Sequence, residues 1–167
     1  HHVLVWNDPY DNSAALAGDD GHYRCSGFPD VFPTELVAGW TPGAQPVRSP
    51  ADTGALVHPG ASLVLNVHYH PTGTSTEVDR TRVRLQWRTT QPSRHTTWYL
   101  VDQPFGAIVQ PGPNDTDGAE FRIPANVSDH LETGELWVPP ILFPDLTVFA
   151  IAPHMHYLGT DQLVILD

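Results

Sequence analysis

The chain has 167 residues, room for one ordinary domain or two small ones, with 40% hydrophobic residues and a formal net charge of −11. Its eight basic residues are all Arg, too few against the acidic excess for a phosphate-neutralising surface, which excludes nucleic acid as a partner. No apolar run is long enough to cross a bilayer, and seventeen Pro and thirteen Gly spread along the chain, without sustained helical periodicity, predict an all-β fold.

In chain order, "HHVLVW" (1–6) reads as a strand. The stretch that follows, to about residue 30, is rich in Asp, Gly and Asn, and its polarity predicts a surface loop. "ELVAGWTPGAQPV" (35–47) joins a short apolar run to a Pro/Gly turn. "ASLVLNVHYHP" (61–71) is the strongest strand of the first half. Its alternation sets Leu63, Leu65, Val67 and Tyr69 on one face and Ser62, Val64, Asn66, His68 and His70 on the other. "TRVRLQWRT" (81–89) alternates too, and a boundary falls near residues 90–94, giving domains 1–92 and 93–167. Beyond it lie "TTWYLV" (96–101), a turn-rich stretch, "AEFRIPA" (119–125), and the strand-like "LTVFAIAPHMHYLG" (146–159). The chain opens and closes abruptly inside strand-like runs, as a segment of a larger protein would. Cys25 stands alone, so no disulfide forms within the chain and no CxxC zinc motif exists. Asn114 and Asn126 head N-x-[ST] sequons, patterns short enough to arise by chance.

The ten histidines carry the chemical signal. Successive side chains of a strand point to opposite faces, so His154 and His156 share one face while Met155 turns away. The same rule puts His68 and His70 together. His1 and His2, being adjacent, point apart in a regular strand and share an ion only across a local twist or bulge. Imidazoles gathered in this way suit copper, and zinc as well, whereas magnesium or calcium wants carboxylate oxygens. For the opening pair the alternatives are a tag remnant, a solvated terminus, or a brace formed by a free amino terminus and His1. His22, His58, His95 and His130 lie in Gly-, Pro- or Asp-rich contexts and read as surface residues.

Taken together, "HHVLVW", "LVAGWTPGAQPVRSPADTGALVHPGASLVLNVHYHPTG" and "VFAIAPHMHYLG" resemble, in order and spacing, the copper type II, ascorbate-dependent monooxygenases, the family of dopamine β-hydroxylase and peptidylglycine α-hydroxylating monooxygenase. The resemblance spans nearly the whole chain, with poor matches at 7–30 and 100–145. It implies two β-sandwich domains of jelly-roll type, both incomplete in this segment, each holding one copper beside a solvent-filled cleft. By position, His1, His2 and His68 would ligate the electron-transfer copper, and His154 and His156 the copper at which dioxygen and a small organic substrate meet. His70 falls outside the family pattern. The implied activity is hydroxylation of a C–H bond with dioxygen and ascorbate, in an extracellular or periplasmic compartment. The family's methionine ligand lies well downstream of the HxH pair, beyond this segment. An arginine that peptide-hydroxylating members place two residues before HxH is Ala152 here, and a glutamine two residues before the "VHY" histidine is Asn66, so the substrate stays open. The competing readings are a non-catalytic copper-binding or copper-sensing sandwich and a zinc-stabilised interaction module.

Overall fold

The computed structural model describes residues 2–25, 27–46, 48–73, 75–99, 101, 108–109 (backbone only), 115, 118–138, 145–155 and 157–166. Among them the regular elements are seven strands and a single 3-10 turn, so the fold class is all-β. The chain divides into two compact units, residues 1–99 and 100–167.

The first unit is built on a three-stranded antiparallel sheet ordered β2-β1-β4, from β1 (His2–Asp8), β2 (Glu35–Trp40) and β4 (Ser62–His68). These are the stretches where apolar and β-branched residues crowd between turn-forming runs, which is what a pleated, half-buried surface accepts. β1 is central, with both edges hydrogen-bonded, and almost all of it is buried. Its Val3, Val5 and Trp6, with Leu36 of β2, form the apolar core. A register shift between Val5 and Trp6 slips the β1–β2 ladder by one residue, which realigns Trp6 with Leu36.

Both faces of β1 are covered. On the face carrying His2, Leu4, Trp6 and Asp8, Cys25, Gly27 and Phe28 lie against the sheet, and Phe28 meets the Trp6 indole edge-on with centroids 6.0 Å apart. The Tyr23 hydroxyl donates to Pro29 O at 2.6 Å and pins this loop. Burial pushes the Tyr23 phenol above its usual range, and the carboxylates of Asp30 and Asp8 add to the effect. On the opposite face the Asn7 amide donates to Leu56 O at 3.2 Å. Asp8 closes the strand by accepting from the amides of Ser13 (2.7 Å) and Tyr10 (3.4 Å), which sets the 3-10 turn Asn12–Ala15 behind it. The Ser62 hydroxyl donates to Asp11 and ties that turn to β4.

Short β3 (Thr53–Gly54) and β5 (Arg94–His95) pair in parallel. Asp52 accepts from Ser93 N at 3.3 Å and lies 3.3 Å from Arg88. These bonds bind residues 88–96 to the first unit. In the second unit the only ladder among the described residues joins β6 (Ile108–Val109) to β7 (Gly134–Glu135).

Three expectations need correction. The alternating segments 81–89, 96–101, 119–125 and 146–159 pair in no ladder among their described residues. Alternation records a surface with two unlike faces, but a strand also requires a neighbouring strand to take its amides and carbonyls in a ladder, and among the described residues these segments have isolated bonds instead, such as Thr96 N to Gly54 O at 2.9 Å. The polar stretch before residue 30 is not wholly superficial, since Tyr23, Cys25 and Phe28 are half-buried and Pro29 is buried against the sheet. His130 is not a surface residue: its side chain is 7% exposed. No helix among the described residues is long and apolar enough to cross a membrane.

Candidate metal centre

His2 and His68 face each other directly across the β1–β4 ladder. Directly opposed residues of an antiparallel pair project from the same face with their Cβ atoms about 5 Å apart. The two imidazole rings accordingly meet at a centroid separation of 4.1 Å, tilted 47°. His2 is buried and His68 half-buried. Strands 66 residues apart in sequence number thus deliver two imidazoles to one spot, a juxtaposition that periodicity within either strand does not reveal.

The surroundings of the pair are specific. The His68 Nε2 lies 2.7 Å from Asn66 Oδ1 and 3.1 Å from Gly27 O. Both neighbours are acceptors, so a neutral His68 carries its proton on Nε2 and its lone pair on Nδ1. The Asn66 Nδ2 donates in turn to Cys25 Sγ at 2.9 Å. Gly27 supplies its carbonyl from φ 101°, a left-handed backbone conformation that side chains disfavour. One copper or zinc ion bound by two imidazoles needs donor nitrogens about 2 Å from the metal. Imidazole nitrogens are donors of the type that suits a soft-to-borderline transition metal. His1, the third member implied by the family resemblance, lies outside the described residues, and among the described residues no three His, Cys, Asp or Glu side chains gather as a metal site.

The later pair is arranged differently. His154 is exposed, on a segment without ladder bonds, and its carbonyl accepts from Gln162 Nε2 at 3.4 Å. Its companion His156 lies outside the described residues. Met155 folds back against the turn that follows: a Cβ placed on Gly159 would come within 2.9 Å of the Met155 sulfur. Gly159 is thus the residue type that leaves room for this side chain. His22, His58 and His95 are exposed, as their contexts predict, and His70 is exposed as well.

Two groupings escaped the sequence reading. One is the Cys25–Asn66–His68 chain, of which only the Asn66–His68 same-face spacing is visible in the sequence. The other is His130 with Glu132, whose Nε2 and Oε1 are 2.6 Å apart with side chains 7% and 5% exposed. The Arg122 amide also donates to Glu132 Oε1, at 3.2 Å, while Oε2 is buried without a hydrogen-bond partner. The H-x-E spacing carries the same signal as H-x-H, two metal-competent side chains on one face of an extended segment.

No family model matches this chain, and no curated protein or solved structure matches it either.

Proposed function

We propose that the chain is part of a copper-dependent, ascorbate-driven monooxygenase of the dopamine β-hydroxylase type, with β-sandwich domains of jelly-roll form, in which His2 and His68, with His1, hold the electron-transfer copper. The observation that supports it is the cross-strand meeting of the His2 and His68 rings at 4.1 Å, the two residues that the family resemblance independently pairs on one ion. Bound there, copper would alternate between Cu(I) and Cu(II) and pass ascorbate-derived electrons toward the site of dioxygen reduction, where a C–H bond of a small organic substrate becomes C–OH. The chain's own contribution is positional. β1 and β4 fix the two rings, and the Gly27 carbonyl sits against His68 Nε2. Three imidazoles without a carboxylate or thiolate leave a site that tolerates both copper oxidation states. His154 and His156 are the proposed imidazoles of the second centre. An extracellular or periplasmic setting, where copper, dioxygen and ascorbate meet, follows from the same reading.

The test is copper stoichiometry together with ascorbate-dependent oxygen consumption by the protein containing this chain. Loss of one copper in His68→Ala, loss of the other in His154→Ala, and abolished oxygen uptake in both are expected. Oxygen uptake indifferent to both substitutions would end the proposal. A second reading, a copper-binding domain without turnover, is favoured by the exposed, unladdered setting of His154. It requires one copper, lost in His68→Ala and retained in His154→Ala, and no oxygen uptake. Type 2 Cu(II) gives a paramagnetic resonance signal that zinc, being d¹⁰, lacks.

A further inference from the structure

We infer that Asn66 is a positioning residue that locks His68 as its Nε2–H tautomer, and that the Cys25 thiol in turn fixes which way the Asn66 amide points. The inference deepens the copper reading, since it says which nitrogen of His68 is presented to a metal.

The geometry leaves Asn66 a single consistent role. Its side chain is 2% exposed in the middle of β4, so its polar atoms depend on protein partners. Oδ1 sits 2.7 Å from His68 Nε2, and Nδ2 sits 2.9 Å from Cys25 Sγ. An amide turned the other way could accept from the Cys25 S–H but would aim its NH2 at the Nε2 that already faces the Gly27 carbonyl at 3.1 Å. Only one orientation gives His68 an acceptor, and a sulfur that accepts from Nδ2 selects it. The Gly27 carbonyl, 3.1 Å from the same Nε2, provides a second acceptor and reinforces the choice. With Nε2 committed to these oxygens, Nδ1 holds the lone pair. A ring whose remote nitrogen is hydrogen-bonded in this manner is both oriented and made more basic toward a metal, the role that carboxylates and carbonyls play behind many ligating histidines. Here a neutral amide takes that role, which orients the ring without adding a negative charge beside the ion.

The experiment is long-range ¹H–¹⁵N correlation of the imidazole nitrogens in the full, metal-free chain at a pH where His68 is neutral. The expected wild-type pattern is a single tautomer, with a pyrrole-type Nε2 and a pyridine-type Nδ1, and an Nε2 proton that exchanges slowly with water. Asn66→Leu should give a mixture of tautomers, faster exchange of that proton, and Cu(II) affinity weakened by about 10- to 100-fold. Cys25→Ser, whose hydroxyl still accepts from Nδ2, should keep the wild-type pattern, whereas Cys25→Ala should shift it part-way toward the Asn66→Leu pattern. A pyridine-type Nε2 in the wild-type chain overturns the inference without any variant having to fold, as do His68 ring shifts identical in wild type and Asn66→Leu. Because the spectra are recorded without metal, a wild-type chain that shows the locked tautomer but binds no copper supports the lock while defeating the copper reading.

Discussion

Strand β1 and the segment 146–152 are alike on paper, each an alternation of aliphatic and aromatic residues next to a histidine pair. β1 is the middle of a sheet, with Val3, Val5 and Trp6 buried and every backbone edge paired. In the second unit Val148, Phe149 and Ile151 remain 45–51% exposed and join no ladder. Among the described residues of that unit the side chains of His130 and Glu132 are buried as a polar pair, joined by the Arg122 amide. The contrast separates two things that apolar alternation is usually taken to mean together. Having two unlike faces is a property of the segment, whereas being a strand is a property of its neighbours. β1 has β2 and β4 on its edges and loops on both faces, and it is there that a histidine from a second strand is brought to His2.

The contrast can be broken most directly at the core of the first unit. Trp6→Ala removes the largest buried side chain of the apolar cluster and should cost about 3–5 kcal/mol in denaturant unfolding, a large part of the stability of a small domain. A cost below about 1 kcal/mol would show that the sheet does not depend on this core. A smaller effect tests the polar centre of the second unit. His130→Ala leaves Glu132 buried with the Arg122 amide as its one donor and should cost about 1–3 kcal/mol, read as faster amide exchange across 120–135. Unchanged exchange there would mean that the pair does not organise the unit.

Asp8 sharpens the comparison by pH. Burial alone would raise its carboxyl pKa, but donors from Ser13, Asn12 and Tyr10 outweigh it and hold the group below its ordinary value of 3.8. A depressed folded-state pKa stabilises above the unfolded value, and that contribution fades as pH falls through the folded one. Wild type should therefore exceed Asp8→Asn in stability at pH 6 by about 1–2 kcal/mol, with the gap narrowing below pH 4. A gap that widens in acid would contradict the assignment. The smallest effect belongs to the exposed alternation: Ile151→Ser should change stability by less than about 0.5 kcal/mol and should reduce self-association of the chain, since unpaired apolar segments are templates for edge-to-edge pairing. A loss of 2 kcal/mol would show that Ile151 is packed in solution.

What the sequence determined is the class and the cast. Pro and Gly spacing excluded long helices, and "HHVLVW" and "SLVLNVH" announced β1 and β4 through period-two alternation. The same rule put Asn66 and His68 on one face, because each of these signals lies within a few residues of chain. The tertiary structure alone decided which strands found partners and which imidazoles met. It laid Cys25 and Gly27 over the polar face of β4, so that Asn66 is buried while Leu65 is 42% exposed, the reverse of what hydrophobicity along the strand implies. It aligned His2 with His68 through an antiparallel register, and brought Cys25 and Gly27 to the same place from a loop with no periodicity to read. Pairing register and loop packing are set by contacts between residues far apart in sequence, and no local pattern encodes them.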